Sequence, residues 1–89
     1  MLSKQQIKAL KGKAHSLKPV VMIGQHGLSD NVHMEIDQAL EAHELIKIKI
    51  PVTDEKQRLV SIILESHQAE KVMLIGRTLV IYREKAPET

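Results

Sequence analysis

The chain of 89 residues has no cysteine, no phenylalanine and no tryptophan, and Tyr82 is its single tyrosine. Without cysteine, disulfides, thiolate zinc sites and thiol nucleophiles are excluded, and the composition suits a reducing compartment, so a cytoplasmic location is the expectation. Without exposed aromatic rings there is no platform on which nucleic-acid bases could be stacked. Long apolar stretches are lacking too. The longest unbroken runs, such as Val20 to Ile23 and Val72 to Ile75, have four residues, far short of a signal-peptide core or a membrane span. A chain of this length folds around one core rather than as two lobes about a cleft, so an enclosed active site, a small-molecule substrate and a membrane association are not expected.

What is present is an ordinary globular share of apolar residues, 43%, and an uneven distribution of charge. Residues 1–29 carry Lys4, Lys8, Lys11, Lys13 and Lys18 and no acid, for a charge of +5. Residues 30–70 sum to −5 and residues 71–89 to +2. If the two basic ends meet in space, one face of the fold attracts a polyanion and another repels it.

Hydrophobic periodicity orders the chain. Ser3 and Gln6 form a capping-box pattern, with Ile7, Leu10, Ala14 and Leu17 at helical spacing behind it, which predicts a first helix over residues 4–15. Lys4, Lys8 and Lys11 fall on one stripe of that helix, apart from its apolar stripe. The run from Val20 to Ile23 reads as a short buried strand. After Gly24-Gln25-His26-Gly27, Ser29-Asp30 reads as the cap of a second helix with Val32, Ile36, Ala39, Leu40 and His43 inward, and with His33 partly buried. Alternation from Leu45 to Ile50 predicts a second strand. Thr53-Asp54-Glu55 opens a third helix, with Leu59, Ile62, Ile63 and Ser66 inward and its end near His67. Lys71 to Ile75 and Thr78 to Tyr82 form a hairpin across a Gly76-Arg77 turn, and a frayed tail follows from about residue 84. The expectation is one α/β domain over residues 1–89, a two-layer fold of order α-β-α-β-α-β-β with helices packed on a mixed four-stranded sheet.

The glycine loop carries the most chemical information, because it lies between a strand and a helix. Glycines allow close approach of a ligand to the backbone, and the helix that follows presents unpaired N–H groups and a partial positive charge, an arrangement suited to a phosphate. Gln25 and His26 can donate hydrogen bonds without repelling an anion. Two glycines three apart also make an ordinary tight turn, and a lysine row also occurs as a solvated helix face. The loop lacks the Gly-Lys-Ser/Thr signature of a nucleotide site, so the anion it suits is a backbone phosphate of a polymer. Arg77 in the hairpin turn and Arg83 after the last strand are further candidates for such contacts.

Five histidines are present, but none forms an i, i+4 pair, so no metal site and no cofactor are expected. Asp37 and Glu41 share a stripe that reads as a solvated acidic face. Ser29 has a capping role and no recognisable base. No catalytic set is expected.

Four ordered blocks, Leu10 to Val21, Ile23 to Ser29, Glu44 to Lys49 and Leu74 to Arg83, together resemble the YhbY-like family, whose unit is the CRM (chloroplast RNA splicing and ribosome maturation) domain. The resemblance implies a non-enzymatic RNA-binding domain with a fold similar to the C-terminal domain of bacterial translation initiation factor three and a GxxG loop analogous to that of KH domains. It further implies association with large-subunit ribosomal RNA or its precursor particles. Gly24 and Gly27 then stand at the loop glycines and Gln25 and His26 at the variable pair, while Lys11, Lys13, Lys18, Arg77 and Arg83 fall on basic positions. Relatives often carry a glycine between the third helix and third strand, where this chain has Ser66-His67-Gln68-Ala69. The competing reading is a protein-interaction module that docks a basic ribosomal partner on the acidic surface of the second helix.

Overall fold

A computed structural model describes residues 2–85, so most of the expected frayed tail lies outside the described residues. The elements are α1 (Lys4–Ala14), β1 (Pro19–Met22), α2 (Asp30–His43), β2 (Leu45–Lys49), α3 (Lys56–His67), β3 (Glu70–Ile75) and β4 (Thr78–Tyr82). They follow the α-β-α-β-α-β-β order read from the sequence. The strands lie in the order β1-β2-β4-β3, with β1 parallel to β2 and the other pairs antiparallel. The sheet is therefore mixed.

Local chemistry accounts for most boundaries. Ser3 Oγ accepts the Gln6 N–H at 3.1 Å while Gln6 Oε1 accepts the Ser3 N–H at 2.8 Å, a complete capping box at the start of α1. Ser29 Oγ accepts the Val32 N–H and caps α2. The third helix departs from expectation. Thr53 Oγ1 accepts the N–H of Glu55, closing a turn ahead of the helix, and Glu55 occupies the cap position with no side-chain bond, so α3 begins at Lys56. Its buried residues are Val60, Ile63 and His67, whereas Ser66 is exposed.

The helices lie on both faces of the sheet, which adds a layer to the two expected. Ile36 and Leu40 of α2 and Val60 and Ile63 of α3 pack on Val21, Ile46, Ile48, Leu79 and Ile81. On the opposite face Ala14, Ile7 and Leu10 of α1 pack on Leu45, Val72 and Val80. Alternation along β2 and β4 sends successive side chains to the two cores. Two further expectations are corrected. β1 is an edge strand with Val21 buried and Pro19, Val20 and Met22 exposed, because only one side of it is paired and α1 does not reach it. His43 is exposed at the end of α2, beyond the inward stripe ending at Leu40.

Gln68, in the link where relatives often have glycine, ends α3 in the left-handed region at φ 53°, ψ 40°. An L-residue pays steric strain there that glycine avoids. Gln68→Gly is expected to raise the unfolding free energy by roughly 0.5–1 kcal/mol, measured by chemical denaturation. A midpoint that is unchanged or lower would show that this cap is not strained.

Candidate nucleic-acid interface

The strand directions sort the loops into two ends. Met22, Lys49, Thr78 and Ile75 are paired in sequence across all four strands. Beyond that row lie the Gly24–Gly27 loop, the segment leading into α3 and the Gly76-Arg77 turn. Ile50 donates its N–H to Arg77 O at 2.8 Å, and Lys56 Nζ donates to Gly76 O at 3.0 Å, fixing the hairpin turn to this end. At the other end stand Glu44, Glu70, Tyr82 and Glu84.

The glycine loop is an ordered turn. Gly27 donates its N–H to Gly24 O at 3.0 Å, and Ser29 donates to Gly27 O at 3.1 Å. Gly27 has φ +73°, and a Cβ at either glycine would meet nothing within 4 Å. The glycines thus serve backbone conformation and open access, not the avoidance of a clash with the protein. Gln25 and His26 are exposed, while Leu28 anchors the loop to the core. The N–H groups of Gly27, Ser29 and Val32 are already occupied inside the loop and cap. Those of Gln25, His26 and Leu28 have no partner among the described residues.

The lysines divide into groups. Lys4, Lys8, Lys11, Lys13 and Lys18 are all exposed, as is Arg77. Lys13 and Lys18 border one hollow together with Leu17 and Val20, and Lys11 borders another with His15 and Lys71. Sequence reasoning assigned no role to Lys47 and Lys49. Both are half-buried and lie on the α1 side of β2, with Lys47 Nζ donating to Leu17 O at 2.9 Å where the chain leaves α1. Their alternation with Leu45, Ile46, Ile48 and Ile50 was the available signal, since it puts both lysines on one sheet face.

Arg83 differs from the other cations. Its guanidinium donates to Asp37 Oδ1 at 2.9 Å, to Glu41 Oε1 at 3.2 Å and to His67 O at 3.0 Å, and its side chain is only 21% exposed. Asp37 Oδ1 also lies 2.9 Å from His67 Nδ1, and His67 Nε2 lies 2.8 Å from His33 Nδ1. Asp37 and Glu41 are consequently not a free acidic face: together with Arg83 they form a clasp joining α2, α3 and the end of β4. The charge of Arg83 is balanced within the molecule, which leaves little of it for an external anion. The bond from His67, and secondly that from Arg83, hold the Asp37 carboxyl below its ordinary value.

A carboxyl depressed in the folded state stabilises the fold above its unfolded value of 3.8, and that increment is lost as pH falls through the lower folded value. Since the Asp37 side chain is 59% exposed, screening limits the increment to about 1 kcal/mol or less. Asp37→Asn is expected to lack that acid-side loss, so its stability should vary less between pH 4 and pH 2 than that of the wild type in urea titrations across this range. Arg83→Ala is expected to destabilise by about 1–2 kcal/mol at neutral pH, given hydrogen bonds to charged groups with partial exposure. An unchanged denaturation midpoint would show that the clasp contributes nothing.

The sequence profile of the CRS1 / YhbY (CRM) domain matches residues 2–83. A Haemophilus influenzae protein named as an RNA-binding protein is 46% identical over 84 residues, covering 92% of this chain and 85% of that protein. The Bacillus subtilis protein YqeI, whose name marks it as a probable RNA-binding protein, is 35% identical over 86 residues, covering 94% of this chain and 90% of its own. The solution structure of a Staphylococcus aureus protein superposes with a TM-score of 0.82 at 35% identity, covering 100% of this chain and 95% of that one.

Proposed function

The chain belongs to the CRS1 / YhbY (CRM) domain family, and on that membership we propose that it binds structured RNA through the backbone, acting in assembly of the large ribosomal subunit. The names of its relatives support the RNA part of this reading. The observation that carries the rest is the gathering of the Gly24–Gly27 loop and Arg77 at one end of the sheet, with Lys11, near the C-terminal end of α1, beside the Met73 to Ile75 stretch of β3 that leads there.

In this reading Gly24 and Gly27 let a phosphate approach the free N–H groups of Gln25, His26 and Leu28, at the positive end of α2. Gln25 and His26 side chains adjust the fit. Lys4, Lys8, Lys11, Lys13, Lys18 and Arg77 supply attraction, which acts through counterion release and is therefore steeply salt dependent. Arg83 contributes by holding α2 and α3 to the sheet and only secondarily by its charge. The role is one of binding, without a reaction.

Reversing Lys11 and Lys13 to Glu is expected to weaken binding to a large-subunit ribosomal RNA fragment and to flatten the slope of log K against log salt by about 1.5–2, measured by filter binding between 50 and 300 mM salt. An unchanged slope would overturn the assignment of these lysines. Gly27→Asp should lower affinity while costing only about 1 kcal/mol of stability, because the added Cβ has space and only the positive φ is strained. In cell lysates, co-sedimentation with large-subunit precursors should be lost after complete RNA digestion. Association that survives digestion and disappears in Glu35→Lys would favour docking to a basic protein instead.

A further inference from the structure

The row Met22, Lys49, Thr78 and Ile75 has features that the loop and the helix lysines do not explain. Register pairs Met22 with Lys49, Lys49 with Thr78 and Thr78 with Ile75. Their neighbours Val21, Ile48, Leu79 and Leu74 all point into the α2–α3 core, so alternation turns the four to the α1 face of the sheet. α1 does not cover them there: its contacts are with Leu45, Val72, Met73, Val80 and Tyr82. Met22 is 72% and Ile75 65% exposed, and Lys49 and Thr78 between them are half-buried. Among the described residues neither the Lys49 ammonium nor the Thr78 hydroxyl has a hydrogen-bonding partner.

We propose that this row seats the shallow minor groove of an RNA duplex, so that the substrate class of the RNA-binding site is double-stranded rather than single-stranded RNA. The inference rests on the RNA-binding reading given above. Three inter-strand steps make the row about 14 Å long, an acid-free strip with a cation and a hydroxyl between two apolar ends. The minor groove of A-form RNA is wide and shallow and displays 2′-hydroxyls. Thr78 can exchange a hydrogen bond with a 2′-hydroxyl, Lys49 can meet a backbone phosphate, and Met22 and Ile75 can lie against ribose carbons.

Charge complementarity favours this occupant, since Lys47 and Lys49 share the face and Arg77 follows at the hairpin turn. Continuity does also: Ile23, which donates its N–H to Lys49 O at 2.9 Å, leads directly from the row into the glycine loop. A single strand spread on the sheet would need rings to stack on. None of the four residues of the row carries one, the chain has no Phe or Trp, and Tyr82 packs against the α1 core.

The test uses the whole protein with four probes at equal salt: a blunt RNA duplex, the DNA duplex of the same sequence, and each RNA strand alone. The RNA duplex is expected to bind most tightly. Met22→Glu with Ile75→Glu, both at exposed positions, should weaken duplex binding about tenfold or more by placing carboxylates against the groove. Thr78→Val should reduce the preference for RNA over DNA by about fivefold, the net worth of one hydrogen bond. Single strands bound as tightly as the duplex, or duplex affinity unaffected by the Met22 and Ile75 changes, would overturn the inference. It would then fail alone if Gly27→Asp and the Lys11 and Lys13 reversals still weakened binding to the ribosomal RNA fragment. Wild-type protein that binds neither that fragment nor any probe would overturn both.

Discussion

The structure depends on a shortage of helix. A four-stranded sheet has two faces to bury, and three helices are available. Two of them cover one face fully. The third, α1, has 11 residues and so is about 16 Å long, while four strands side by side are about 15–20 Å wide. One helix about 10 Å thick cannot roof such a surface. It buries the corner around Leu45, Val72 and Val80 and leaves β1 and the loop-bearing end of the other strands open. The exposed part of the sheet, the edge position of β1 and the half-buried lysines of β2 follow from that geometry.

Charge is balanced inside the molecule as well. Asp30, Asp54 and Glu55 stand at the loop-bearing end and Glu44 and Glu70 at the far end, while on α2 Arg83 binds Asp37 and Glu41 and balances part of their charge. This has two effects at once. It fastens α2 and α3 to the sheet at the point where β4 ends, and it weakens the negative field that α2 would otherwise extend toward the lysines. His67 completes the clasp. It is buried, yet both ring nitrogens have partners, Asp37 on one side and His33 on the other, so its burial leaves no unsatisfied polar atom.

Features set by near neighbours in the chain were legible in the sequence. Ser3 with Gln6, Ser29 before Val32, and Gly76-Arg77 between two β-rich runs are determined by chemistry within four residues, and each is found where expected. Features set by distant pairing were not. Val20 to Ile23 has the composition of a buried strand, but whether such a strand is central or at an edge depends on which strands flank it. The clasp joins residues 30 and 46 positions apart, with no spacing to betray it, so Asp37 and Glu41 read as a solvated stripe and Arg83 as a free cation. The glycine loop was visible as a motif, but its internal bonds were not. The order of helices along the chain also does not reveal which face each takes, which is why two layers were expected and three are found.

The internal bonds of the loop bear on how the proposed interface divides its work. A loop whose N–H groups were all free could hold a phosphate tightly by directional bonds alone. Here the amides of Gly27, Ser29 and Val32 stabilise the turn and the start of α2, so rigidity is gained at the expense of donors. Fewer directional contacts mean that attraction must come from charges acting over distance, and the lysines supply it from flexible exposed side chains. Such charges carry no sequence information. On the proposed reading, discrimination then has to come from shape, meaning how well a rigid loop and an adjoining open strip of sheet fit the surface of a folded RNA.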